Sequence, residues 1–177
     1  MQVSEANNSK RQQLLYWREL EQLKAASIYM RLYRNELGWW VRGVEIIKVI
    51  GSSGGIAGWV VWKDYPLVWS AIIAGSQLLD ALKNVFPFAK QHKAASDLTV
   101  ALELLWIDAE EEWETIYADK ISEEVITKRR TKLRKLRLET ERKYFPEGFT
   151  PSDRLFRLAT QEARDYFALT YTDEAQQ

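Results

Sequence analysis

Residues 10–37 contain no glycine or proline, and Tyr16, Leu20, Leu23, Ser27 and Met30 recur there every three or four positions. That spacing predicts a polar helix with one buried stripe. The rhythm then stops. Val49 to Trp62 (VIGSSGGIAGWVVW) and Tyr65 to Leu79 (YPLVWSAIIAGSQLL) carry no charge on any side, and Lys63-Asp64 joins them. Two antiparallel apolar helices turning at that dipeptide are expected. Over 89–119 the stripe returns as Leu98, Leu102, Leu105, Ala109, Trp113 and Ile116. Ser122 is the expected N-cap of a helix through Tyr144 that turns Ile126, Leu133 and Leu136 inward. Pro146-Glu147-Gly148 ends it. Thr150-Pro151-Ser152-Asp153 reads as a start signal with Thr150 at the N-cap and Pro151 at the first helical position. The helix that follows, to about 169, should bury Leu155, Phe156, Leu158 and Phe167. With no strand pattern of useful length, the expected fold is all-α: a membrane-inserted two-helix hairpin continuous with a cytosolic helical bundle. Its parts are a polar helix (1–38), an apolar hairpin (39–88) and a cytosolic helical region (89–172).

The membrane expectation rests on the middle part. Each uncharged run spans only about 21–23 Å of helix, whereas a bilayer core of ~30 Å takes about 20 apolar residues. Each arm must therefore borrow flanking residues, Glu45 and Lys48 on the first, Asp80 and Lys83 on the second. In a hairpin turning at Lys63-Asp64, Lys48 stands level with Asp80 and Glu45 with Lys83. Both pairs are of opposite sign, as charges at depth in hydrocarbon require. A soluble hairpin with a polar end satisfies the same pairing. Trp59, Trp62, Tyr65 and Trp69 gather at the turn, and Trp39, Trp40, Phe86 and Phe88 mark the opposite level, the two positions of membrane-interface aromatics. Gly51 with Gly55, and Gly54 with Gly58, form two G-x-x-x-G patterns, and Ala71 with Gly75 offers a small face on the second arm. In lipid such faces pack helices closely; the alternative is that GSSGG is a flexible loop.

Composition limits the other classes. Lys+Arg and Asp+Glu are equal at 25 each, so no global field draws the chain to nucleic acid. A mean hydropathy of −0.36 confines any membrane part to a minority of the chain. There is no cysteine, hence no disulfide framework, thiolate metal site or Cys nucleophile. The opening MQVSEANNSKRQQ lacks an apolar signal core. Charge is segregated: Asp108, Glu110, Glu111, Glu112 and Glu114 precede Lys128, Arg129, Arg130, Lys132, Arg134, Lys135 and Arg137. A turn near Lys120–Ser122 lays the two blocks side by side as a charge-stitched solvated hairpin. The alternative readings of the basic block are an anionic-lipid or nucleic-acid patch. The single histidine, His92, has no second ligand at helical spacing. No nucleophile elbow, zinc-protease, Walker or Rossmann pattern occurs. No enzyme, cofactor or metal site is expected.

The order of parts resembles the SLATT family, two-transmembrane effectors of bacterial conflict systems. The resemblance covers about residues 15 to 145. It lies in a polar helix with Arg31-Leu32-Tyr33-Arg34, the two-helix hairpin, and the long helix opening FPFAKQHKAASDLTVALELLW at Phe86. It implies an antiviral effector that homo-oligomerises in the bilayer, permeabilises the inner membrane and arrests or kills infected cells. It also implies a trigger from a genomically linked partner: a nucleotide-signal enzyme, a sensor or a reverse transcriptase with its nucleic acid. Flanking charge (Arg31, Arg34, Arg42, Lys90 and Lys93 against one Lys and one Asp in the turn) puts both termini in the cytoplasm. The competing expectation is a soluble, cytoplasmic all-helical adaptor, with residues 44–82 as its core or partner groove and the 128–137 face meeting phosphate.

Overall fold

The computed structural model describes residues 2–61, 66–82, 87–118 and 121–171. They form five helices: α1 Gln2–Val61, α2 Pro66–Leu82, α3 Phe88–Ala118, α4 Glu123–Tyr144 and α5 Asp153–Tyr171. No strand occurs among the described residues. The polar helix and the first apolar arm are one helix, not two. No proline lies before Pro66, so every amide can donate. Glycine costs a helix about 1 kcal/mol but removes no hydrogen bond. For the same reason Gly51–Gly55 is helical backbone, which corrects the loop reading of GSSGG.

Two compact units are built from these helices: Met1–Tyr33 with Ala94–Gln177, and Arg34–Lys93. The first is a four-helix arrangement whose register follows from side-chain bonds. The Tyr16 hydroxyl lies 3.2 Å from Ala109 O and 3.1 Å from Glu112 Oε2, while Ser27 Oγ donates to Glu103 at 2.8 Å, so α3 runs antiparallel to α1. Arg130 donates to Gln12 at 3.3 Å and Arg134 lies 3.6 Å from Glu19, so α4 runs parallel to α1. Trp17 packs edge-on against Phe167 at 5.1 Å, and Tyr29 Oη accepts the Ser152 N–H at 2.9 Å, so α5 returns antiparallel. Alternating directions with short links are the usual solution for a four-helix core.

The predicted α1 stripe is fully buried, Ser27 included. On α3, Leu98, Leu102, Ala109 and Ile116 are buried, and Leu105 and Trp113 pack partly buried against them. Trp106, one residue from the predicted stripe position Leu105, is also core. Ser122 holds the N-cap position of α4, and its carbonyl accepts the Ile126 N–H at 3.2 Å, but its hydroxyl caps nothing. Leu136 is exposed, not inward. The start of α5 also differs from expectation. Ser152, not Thr150, is the cap: its carbonyl accepts Phe156 N–H at 2.9 Å and its Oγ accepts Leu155 N–H at 3.5 Å. Within α5 the buried side chains are Leu155, Ala159, Ala163 and Phe167, at four-residue spacing on one face, and Phe156 and Leu158 are exposed.

In the second unit, Leu37 is the one buried side chain among those described. Trp40 stacks on Phe88 with centroids 6.0 Å apart, and the Arg42 guanidinium sits 4.6 Å over Trp39. Arg42 Nε also donates to Gly38 O at 3.2 Å. A Cβ on Gly38 would lie 3.3 Å from His92 Nε2, so this glycine is where the imidazole edge meets the helix.

Candidate functional site

The second unit presents apolar side chains outward. Trp39 is 70% exposed and Leu67 85%, and Trp40, Ile46, Ile47, Val49, Val68, Ile73 and Leu78 are exposed with them. Isolated exposed apolar residues are ordinary, but a concentration on one small unit marks an interaction surface. Ala71 is exposed, and nothing approaches the Cβ position of half-buried Gly75 within 4 Å, so the small face of the second arm is open. The packing of Gly51, Gly54, Gly55, Gly58, Trp59, Trp69 and Asp80 lies outside the described residues, as do Trp62, Tyr65 and Lys83 entirely. The proposed Lys48–Asp80 and Glu45–Lys83 pairs therefore fall outside them too; Glu45 itself is exposed. No described helix is long and apolar enough to cross a membrane.

The basic block of α4 divides by residue type. Arg130, Arg134 and Arg137 take up contacts with Gln12, Glu19 and Glu141. Lys128, Lys132 and Lys135 are exposed, and Arg129 is half-buried. One contact joins the acidic and basic blocks among the described ion pairs, Lys132 to Glu112 at 3.9 Å. The hairpin stitching is thus sparse, and most arginines of the block face α1 or α4 itself. Guanidinium forks suit such fixed partners better than ammonium groups do.

Sequence reasoning missed a polar cluster in the bundle. Lys24 Nζ lies 3.3 Å from Glu103 Oε2, 3.8 Å over the Trp106 ring and 4.6 Å from the Tyr166 ring centroid. Ser27 is bonded to the other Glu103 oxygen. The cluster is a caged cation with its counterion. Its only signal in the sequence was Ser27 standing on an otherwise apolar stripe. Two tyrosines elsewhere in the bundle are held in their neutral form. Burial chiefly, then the charge and hydrogen bond of Glu112, raises the Tyr16 pKa above its ordinary value. Burial and the Glu110 hydrogen bond do the same for Tyr171.

The bundle also contains a cleft of about 700 Å³ bounded by α1, α3, α4, α5 and the link before α5. Its walls are mostly apolar, with Arg137, Glu141, Arg164 and Glu21 as the charged members. No group of three or more His, Cys, Asp or Glu side chains able to hold a metal occurs among the described residues. No family model, curated protein or solved structure matches the chain.

Proposed function

We propose that this chain is a membrane-associated, non-enzymatic effector of bacterial antiviral defence. In this reading the second unit is the apolar element that meets the bilayer and other copies of itself. The helical bundle receives the trigger from a linked sensor or enzyme. The observation that carries the reading is the concentration of exposed tryptophan and aliphatic side chains on Arg34–Lys93. Such a surface is costly in water at roughly 25 cal/mol per Å², so it exists to be covered. The order of parts shared with SLATT effectors supports the same assignment. One hairpin cannot line a pore, so permeabilisation requires several copies, packed through Gly51, Gly54, Gly55 and Gly58. The inner membrane with both termini cytoplasmic is the corresponding location.

The test is dye entry or loss of membrane potential in cells carrying matched amounts of wild-type and Gly58→Leu protein. A leucine at this face still favours hydrocarbon but holds helices apart. Wild type should admit dye on triggering and the variant should not. Equal entry by both removes the packing role, and no entry by triggered wild type removes the pore.

One observation favours a second reading. No described helix is long and apolar enough to span a bilayer. A soluble adaptor would cover the same apolar side chains with a protein partner, such as a reverse transcriptase. The stripe Val100, Leu104 and Ile107, exposed along one side of α3, would give that partner a second contact. Direct nucleic-acid binding by the chain itself is not favoured, because Arg130, Arg134 and Arg137 have protein partners.

A further inference from the structure

The cleft in the bundle has a polar end and an apolar end. Registers fixed by Arg134–Glu19 and Arg130–Gln12 place Arg137 level with residues 19–22 of α1. Those fixed by Trp17–Phe167 and Tyr29–Ser152 place Arg164 level with residues 17–20 of that helix. Arg137 and Arg164 therefore stand near the Glu21 end, while Glu141, one turn further along α4, stands level with residues 23–26 of α1. At the other end, about 14 Å further along α1 by helical rise, the lining is Tyr29, Met30, Phe149, Pro151 and Phe156. Ala25 and Ala26 of α1 and Ala159 of α5 wall the stretch between them, and Ala163 stands at the Glu21 level.

Alanines on two facing helices hold this slot open. Larger side chains at these positions would narrow it. The cleft opens to solvent, where its lining residues Glu21, Gln22, Phe156 and Arg164 are exposed, and it is of the size that binds small molecules. At the polar end the groups are not equally engaged. Arg137 is bonded to Glu141 at 2.8 Å, and Glu21 accepts the Trp17 indole N–H at 3.0 Å. Arg164 has no hydrogen-bond or ion-pair partner among the described residues. Its guanidinium is available to a ligand's oxygens.

We propose that this cleft binds a single-chain anionic amphipath. The hydrocarbon chain lies along the alanine-walled slot, and a carboxylate or phosphate head sits at Arg164, with Arg137 beside it. The proposal is independent of the membrane reading, since the cleft lies wholly within the bundle unit. Occupancy would tie α5 to α1 and α4, and so supplies a small-molecule input to the unit proposed to receive the trigger.

The experiment uses the full chain, in native membranes or in detergent-free buffer, with three photo-crosslinking probes. All carry a diazirine at the end of a ten-carbon chain; the heads are a free carboxylate, a lysophospholipid phosphate and an amine. After irradiation, adducts are mapped by peptide mass spectrometry. The expected result is labelling within 25–30 and 149–163 by an anionic probe, competed by unlabelled decanoate or lysophospholipid. Whichever anionic probe labels more identifies the source of the ligand. Labelling confined to 39–88, or equal labelling by the amine, overturns the proposal. Ala163→Leu should abolish bundle labelling by filling the slot. Should that variant fold poorly, Arg164→Gln leaves the slot intact. It should lower labelling by the anionic probe roughly ten-fold, the value of one charge-assisted hydrogen bond, and leave amine labelling unchanged. Unaltered anionic labelling in Arg164→Gln refutes the assigned head-group site.

Discussion

Replacing Glu103 with glutamine tests whether the Lys24 cluster stabilises the bundle as a unit. The substitution keeps shape and leaves an oxygen to accept from Ser27, but it removes the counterion 3.3 Å from Lys24 Nζ. Stripping one partner from a fully buried pair costs about 3–5 kcal/mol. Here the Lys24 side chain is 12% exposed but that of Glu103 is 39% exposed, so solvent screens part of the loss. The Trp106 and Tyr166 faces still hold the ammonium, at a value of about 1–2 kcal/mol for a largely desolvated cation. The expected cost is therefore about 1–2 kcal/mol. Lys24→Met removes the charge and lays a thioether over Trp106, with an expected cost under about 1 kcal/mol. The double variant should resemble Lys24→Met alone, because glutamine then faces no bare cation. Urea unfolding of the full chain, followed by far-ultraviolet circular dichroism, gives the four free energies of the cycle. A coupling of about 1–2 kcal/mol is predicted. Additive single effects, or a Glu103→Gln protein as stable as wild type, would refute the cluster's role.

Tyr16 has a raised pKa, so the stability it contributes is complete below the ordinary tyrosine value of about 10 and is lost as pH rises beyond it. Tyr16→Phe should flatten alkaline unfolding above about pH 10 and cost roughly 1 kcal/mol at neutral pH, both read from denaturation midpoints across pH. Gly148 has φ +75° in the link between α4 and α5, so Gly148→Ala should destabilise by about 1–2 kcal/mol in urea titrations. Gly38→Ala should instead be neutral or stabilising by up to about 1 kcal/mol, because the atom it meets is the outer edge of the half-buried His92 ring. Lys128→Gln, Lys132→Gln and Lys135→Gln together should change stability by less than about 0.5 kcal/mol. A large salt-dependent loss of nucleic-acid binding in that triple variant would revive the phosphate-binding reading of α4.

The bundle was legible where periodicity was strong. Tyr16, Leu20, Leu23 and Met30 on α1, and Leu98, Leu102 and Ile116 on α3, stand on stripes that any amphipathic helix would bury. Legibility failed where small residues carry the buried face. Ala159 and Ala163 are buried on α5 while the larger Phe156 and Leu158 are exposed, the reverse of a reading by side-chain size. Thr150-Pro151 looked like a helix start, yet Ser152 caps. Lys24 was invisible because its partners, Glu103, Trp106 and Tyr166, come from two distant helices. The cleft could not be read from sequence for the same reason: its alanines meet only across α1 and α5. Over residues 39–88, apolar content was plain but its use was not, because a surface that meets lipid and one that meets protein have the same composition.

Detergent-free fractionation of cells expressing the full chain, followed by an alkaline carbonate wash of the membrane pellet, tests the proposed role of Arg34–Lys93 most directly. If the exposed Trp39, Trp40, Leu67 and Leu78 side chains are embedded in the bilayer, the protein remains in the washed pellet. It leaves that pellet only when detergent is added. Recovery of the wild-type chain in the soluble supernatant, alone or bound to a protein partner, contradicts the membrane account.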